Sequence, residues 1–333
     1  MNVKLWIQAL RVIPRLTKED WKGLDLISRW LVVTRSAVFI MTFLSSAIGG
    51  ILAWRDGQVD WLLWLLTTIG LIMAHASNNI LNDITDYFKG VDKNNYFRAQ
   101  YGPHPLEHGF LSLKQLIAYF IVTLLIGVLI GIYLIHVRGE GVLWLFLAGL
   151  FFLLFYTYPL KYFGLGELAV LLVWGPLMIG GTYYVITGQW KWEVVIASFP
   201  YALGVTSVLF GKHIDKIDAD RAKGVRTFPV LVGEKAARWI AILLISMQYV
   251  TVVYLVIIGF FTPIMLIVFL AIKDFIKTIK VFLNPKPETK PEDYPESAWP
   301  LWFVAHAFVH NRKFGILFML GLLLETLYIR FVV

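Results

Sequence analysis

Residues 61–92 read WLLWLLTTIGLIMAHASNNILNDITDYFKGVD. Residues 61–77 are almost wholly apolar, which suits a helix crossing the hydrocarbon core of a bilayer. Asparagines and aspartates then crowd the same run. At helical spacing His75, Asn79, Asn82 and Asp86 fall on one stripe, and Asp83 lies about 100° round the helix, close enough to share a ligand with Asp86 or Asn79. Polar groups at the end of a membrane helix face the bundle interior or a wet cavity rather than lipid. Gly90 permits a sharp turn, and Asp92 follows it.

The rest of the chain repeats the apolar half of this pattern. Of the 333 residues 58 % are hydrophobic and 16 % charged, whereas a soluble domain carries about a quarter charged residues. The fold class expected is all-α: a polytopic membrane protein of about nine transmembrane helices round a central cavity, capped by cytoplasmic loops. The spans are placed near 34–54, 61–82, 115–136, 142–158, 167–187, 194–211, 237–259, 260–276 and 314–332. With no cysteine, disulfides, thiolate metal sites and cysteine nucleophiles are excluded. The net charge of +8 fits basic loops facing an anionic leaflet and needs no nucleic acid.

Lysine and arginine give the orientation. Seven lie between Lys4 and Arg35, seven between Lys212 and Arg238 and seven between Lys273 and Lys313. The opposite loops hold only Arg55, Arg138 and Lys191, with Arg330 in the C-terminal span. The N-terminus and both acidic clusters are therefore expected on the cytoplasmic side of the cytoplasmic membrane. Residues 1–33 mix apolar and basic positions without the apolar core of a signal peptide, and read as a cytoplasmic, interfacial segment. A membrane core over 34–276 follows, then a proline-rich linker and an interfacial stretch over 277–313, then a last span over 314–333. His306 and His310 have metal-compatible spacing but lack the glutamate of HExxH, and read as part of that interfacial helix.

The second acidic cluster is GKHIDKIDADRAKGVRTFPV, residues 211–230. Asp215, Asp218 and Asp220 are interleaved there with Lys212, Lys216, Arg221, Lys223 and Arg226. Mg2+ takes hard oxygens, commonly one or two carboxylates, and completes its shell with water and substrate phosphate. Two carboxylate clusters on one side, mixed with cations that neutralise phosphate, therefore point to Mg2+ and a diphosphate. Asp83, Asp86, Asp92, Asp215, Asp218 and Asp220 are the candidate ligands. An ion transporter and an intramembrane aspartyl protease are the rivals. Acids gathered at one face among phosphate-binding cations argue against a conduction path and against two carboxylates sharing a proton.

These residues resemble the UbiA superfamily of intramembrane prenyltransferases, over roughly residues 34–260. Within it the 1,4-dihydroxy-2-naphthoate polyprenyltransferase branch is most similar, through NDITDYFKGVD (82–92), FYTYPLKYFGLGELAVLLVWGPLMIGGTYYVITG (155–188) and GVRTFPVLVG (224–233). The resemblance implies Mg2+-dependent transfer of a polyprenyl group from a polyprenyl diphosphate to an acceptor, with membrane lipid around both. Asn82 and Asp86 match its first metal-binding positions and Asp92 its later aspartate. Tyr158 and Lys161 match its diphosphate-contacting Y-x-x-K element, Asp220 the last aspartate of the second motif, and Arg226 a basic residue after it.

Where the family has the first aspartate of the second motif, this chain has Lys216. Either the helix ends so that Asp215 or Asp218 reaches in, or Lys216 supplies part of a metal's charge. Lys212 and His213 replace paired asparagines, and His104, Glu107 and His108 replace a small-residue stretch. The acceptor therefore need not be naphthoate, and a cyclase or a lipid prenyltransferase stays open. Arg98, Lys161, Lys212 and Arg226 are placed on the leaving diphosphate. Tyr183 and Tyr184 could shelter an allylic cation, while His75, Asn79, His108 and His213 are candidates for the cavity or acceptor.

Overall fold

Alternating apolar runs and polar breaks give helices. The computed structural model describes residues 3–14, 16–91, 104–296 and 298–332, and no strand occurs among them. Among the described residues seven helices are long and apolar enough to cross a membrane: Ser36–Arg55, Trp61–Phe88, Leu113–Arg138, Gly166–Thr187, Trp192–Asp215, Glu234–Ile257 and Phe303–Phe331.

The other two expected spans differ. Glu140–Phe155 has 16 residues, about 24 Å at 1.5 Å per residue, against a hydrocarbon core of about 30 Å. Residues 260–276 do not wind as one α-helix. Pro263–Ala271 is a 3-10 helix, and Ile272–Leu283 is an α-helix carrying Lys273, Asp274, Lys277 and Lys280. Charges at that density place the second half outside an apolar span. At the C-terminal end no breaker separates the expected interfacial stretch from the last span. They form the single helix Phe303–Phe331.

The chain divides into two compact units, one of Met1–Ser46 with Leu65–Pro159, the other of Ala47–Trp64 with Leu160–Val333. In the first, the helix Val3–Arg11 buries Leu5 and Ala9 and leaves Val3, Ile7 and Leu10 exposed. Trp6 donates to Ser28 Oγ at 3.0 Å, and Ser36 Oγ donates to the Ala9 carbonyl at 2.9 Å. Trp21, Val32, Val33, Ile80, Phe110, Leu111 and Leu116 form the core beneath, with Trp21 stacked on Phe110 at 5.0 Å. This core fixes the end of the Trp61–Phe88 helix that carries the first motif.

In the second unit the Trp192–Asp215 helix is central. It packs against Glu234–Ile257, Phe303–Phe331 and Gly166–Leu172. Between Gly166 and Thr187 the backbone widens into a π-helical stretch at Val173–Gly180, round Pro176, whose missing N–H leaves the α-ladder incomplete. With no hydrophobic drive between helices inside lipid, small residues and polar contacts hold such bundles together. Gly204 is one of them: a Cβ there would lie 1.9 Å from Asn311 Oδ1 and 2.2 Å from Gln248 Nε2. Gln248 in turn donates to the Pro200 carbonyl at 2.9 Å. Gly204→Leu is expected to destabilise the protein by about 1–3 kcal/mol through overpacking. An unchanged melting temperature in detergent would contradict this packing.

Candidate active site

The first motif is built on a helix that does not stop at the apolar boundary. Trp61–Phe88 runs 28 residues, so its polar stripe keeps helical register. The stripe is divided among partners. His75 Nδ1 lies 2.7 Å from Thr42 Oγ1, and Asn79 donates to the Thr34 carbonyl at 2.8 Å. Asn78 donates to the Leu153 carbonyl at 2.9 Å. His75, Asn78 and Asn79 thus hold neighbouring segments in place.

Asp83 is buried and ion-paired with Arg35. Arg35 has a left-handed backbone, φ 55. Its guanidinium also donates to the Asn79 carbonyl at 3.3 Å and to Asn82 Oδ1 at 3.4 Å. Asn82 and Asp86 face one another, the Asn82 amide donating to Asp86 Oδ2 at 2.9 Å and to Thr157 Oγ1 at 3.3 Å. Lys89 places its ammonium 3.9 Å from the centre of the exposed Tyr158 ring. Asp92 and Arg98 lie outside the described residues.

His104 is buried and its N–H donates to Nδ1 of the exposed His108 at 2.8 Å. His108 thus helps close the turn before Leu113–Arg138.

The second motif begins where the Trp192–Asp215 helix ends. Lys216 leaves helical geometry, φ −111, and a short helix Ile217–Ala222 follows. Its three acids go three ways. Asp215 turns to the start of Phe303–Phe331 and accepts the backbone N–H groups of Trp302, Phe303 and Val304 at 3.0, 3.1 and 3.0 Å. Asp218 is exposed and pairs with Arg221 at 3.1 Å. Asp220 is buried, with Lys216 Nζ 3.2 Å from its Oδ1. Lys212 is half-buried and Arg226 exposed. Lys161 sits in the 3-10 turn Leu160–Phe163. Just past that turn Gly164, at φ 72, leaves room for Leu231 Cδ1, on the short helix Phe228–Val232, only 2.4 Å from where a Cβ would stand.

Sequence reasoning missed three residues here. Glu167 is buried, and its carboxylate lies 2.6 Å from His213 Nδ1 and accepts the Phe228 N–H at 3.4 Å. An acid opening an apolar span was the available signal. Arg35 and Thr157, which surround Asn82, carried no local signal. The proline-rich linker carries side-chain hydrogen bonds among its described residues. Lys286 donates to the Pro300 carbonyl and Tyr294 to that of Leu301. Burial pushes the Tyr294 hydroxyl up to about 12, and the Asp215 charge adds to it. Burial pushes the Lys286 ammonium down, against the pull of Asp215.

Tyr183 lies at the other end of its helix, ~24 Å along the axis from Glu167. Its hydroxyl donates to Asp56 Oδ2 at 2.6 Å, and Lys191 Nζ reaches the same oxygen at 2.6 Å. Tyr184 packs edge-on against Trp190. Burial pushes the Asp56 carboxyl up, but the hydrogen bonds from Lys191 and Tyr183 and the Arg55 charge outweigh it, leaving the group below its ordinary range. A depressed carboxyl contributes stability above its unfolded value of about 3.9 and loses it as pH falls through the folded value. Asp56→Asn should therefore lower the melting temperature at pH 7, with the gap to the parent protein closing below about pH 4. A gap that stays constant into acid would sink this reading.

Among the described residues no three His, Asp or Glu side chains gather so as to hold a metal. A bound diphosphate lowers that requirement, since Mg2+ takes part of its shell from phosphate and water. The Asn82 amide oxygen and the Asp86 carboxylate are hard donors one helical turn apart, and fit such a partial set.

A profile of the UbiA prenyltransferase family matches residues 43–294. The chain belongs to the UbiA prenyltransferase family. As a member it is an enzyme, a prenyltransferase. A 1,4-dihydroxy-2-naphthoate octaprenyltransferase of Escherichia coli strain K12 is 28 % identical over 218 residues, 63 % of this chain and 70 % of that protein. One of Bacillus subtilis strain 168 is 25 % identical over 300 residues, 88 % of this chain and 91 % of that one. The structure of a UbiA homolog from Archaeoglobus fulgidus bound to GPP and Mg2+ superposes with a TM-score of 0.61 at 15 % identity, over 88 % of this chain and 99 % of that one. At that identity it shows the shared fold.

Proposed function

We propose that this prenyltransferase moves a polyprenyl group from a polyprenyl diphosphate to an aromatic acceptor, naphthoate-like or another quinone precursor, within the cytoplasmic membrane. The reading places the N-terminus and the chemistry on the cytoplasmic side. The observation that carries it is the Asn82–Asp86 pair, an amide and a carboxylate 2.9 Å apart at the end of a membrane-length helix. The relatives named 1,4-dihydroxy-2-naphthoate octaprenyltransferase support the acceptor class.

Mg2+, when bound, would supply positive charge against the diphosphate as it leaves. Asn82 and Asp86 are the residues proposed to hold it. Asp83 and Asp215 are already engaged, with Arg35 and with the start of the last helix. They are assigned here to shaping the two motifs. Lys161, Lys212 and Arg226 bind phosphate oxygens. As the allylic C–O bond breaks, its electron pair stays with the diphosphate. The acceptor then forms the new C–C bond and gives up a proton. Apolar walls keep water from the cation.

The test is diphosphate release by the purified full chain in nanodiscs, given geranylgeranyl diphosphate and a panel of acceptors, with and without Mg2+. Mg2+-dependent release with an acceptor-linked product mass is expected. Release without any acceptor would favour a cyclase, and a lipid product would replace the aromatic acceptor. No release from folded protein would remove the donor assignment.

A further inference from the structure

The second motif carries three acids, and its geometry disposes of each as part of a metal cage. Asp215 accepts three backbone N–H groups, and its side chain is fully buried. Asp218 is 89 % exposed and pairs with Arg221. Asp220 is buried, and the cation beside it is Lys216, at 3.2 Å. Lys216 is itself only 14 % exposed, so its ammonium is held near that carboxylate rather than waving in solvent.

A lysine ammonium is a compact positive charge with three donors and no acceptor. It cannot ligate a divalent ion, and it already engages one carboxylate oxygen of Asp220. It can donate one proton to Asp220 and still offer two to phosphate oxygens, as charge-assisted hydrogen bonds.

We propose that Lys216, positioned by Asp220, holds the diphosphate in place of a metal ion. The second motif of this protein then binds no divalent cation of its own. Asp220 is a positioning residue for Lys216. The inference rests on the prenyl-diphosphate reading above and fixes the metal count within it. The pair Lys216 and Asp220 carries no net charge, whereas two carboxylates would carry two negative charges and call for a cation. Replacing a metal by an ammonium also makes phosphate binding at the second motif independent of metal concentration.

The experiment counts metal directly. Mn2+ binding to the full chain is followed by electron paramagnetic resonance, with and without geranylgeranyl thiolodiphosphate, an analogue that does not ionise readily. One analogue-dependent Mn2+ per chain is expected. Lys216→Asp should bind two. Lys216→Gln should keep one Mn2+ while weakening the analogue by about 10- to 100-fold, the worth of a charge-assisted hydrogen bond. Two Mn2+ in the parent protein overturns the proposal and leaves the prenyl-diphosphate reading standing. No analogue-dependent Mn2+ binding overturns both. An unchanged analogue affinity in folded Lys216→Gln removes Lys216 from the diphosphate.

Discussion

Asp86→Ala is expected to lower the rate of diphosphate release by at least about 100- to 1,000-fold, the usual cost of losing one group aimed at charge that develops in a transition state. The carboxylate is buried at the end of the Trp61–Phe88 helix and meets the Asn82 amide. The Asn82 hydrogen bond itself is worth about 1 kcal/mol of stability. Activity should fall far more steeply than stability, and the melting temperature of the same sample checks that the variant is folded. Asp86→Asn keeps the shape and removes the charge, and should be nearly as inactive. Release above a tenth of the parent rate in either variant would take Asp86 out of the site.

The second large effect is on folding. Arg35→Ala leaves Asp83, 1 % exposed, without its guanidinium. Breaking a buried pair by removing one partner costs about 3–5 kcal/mol. Arg35 also reaches the Asn79 carbonyl and Asn82 Oδ1, so activity should fall with stability. The double change Arg35→Met with Asp83→Leu removes both charges and should recover much of the lost stability, though not the hold on Asn82. Thermal unfolding and diphosphate release on the same samples check both statements. A double variant as unstable as Arg35→Ala would show that Asp83 does not depend on Arg35.

The helices were legible because lipid demands long apolar runs, and the first motif because residues three and four apart share a helix face. What each acid does was not legible. Asp83 and Arg35 are 48 positions apart, and the N–H groups that Asp215 accepts lie 87 to 89 positions downstream. No local pattern carries such pairings. Asp215 and Asp218 therefore looked as suitable for metal as Asp86 does. Tyr183, read as a candidate shelter for the reacting cation, gives its hydroxyl to Asp56, 127 positions upstream, a pairing that no local pattern carries either. The short fourth helix and the 3-10 start of the eighth were hidden for another reason. Apolar composition records what faces lipid, and it says little about how the backbone winds.

The bond between Asp215 and residues 302–304 sets an order on biosynthesis. The ribosome makes the second motif long before it makes the start of the last helix. Until that helix emerges, the Asp215 carboxylate lacks its three N–H donors, and the turn at Lys216 lacks its anchor. A nascent chain can thus carry every residue of both motifs and still lack the shape of the second. A chain cut before Trp302 therefore lacks the three N–H donors that hold Asp215 and, with them, the anchor of the turn at Lys216.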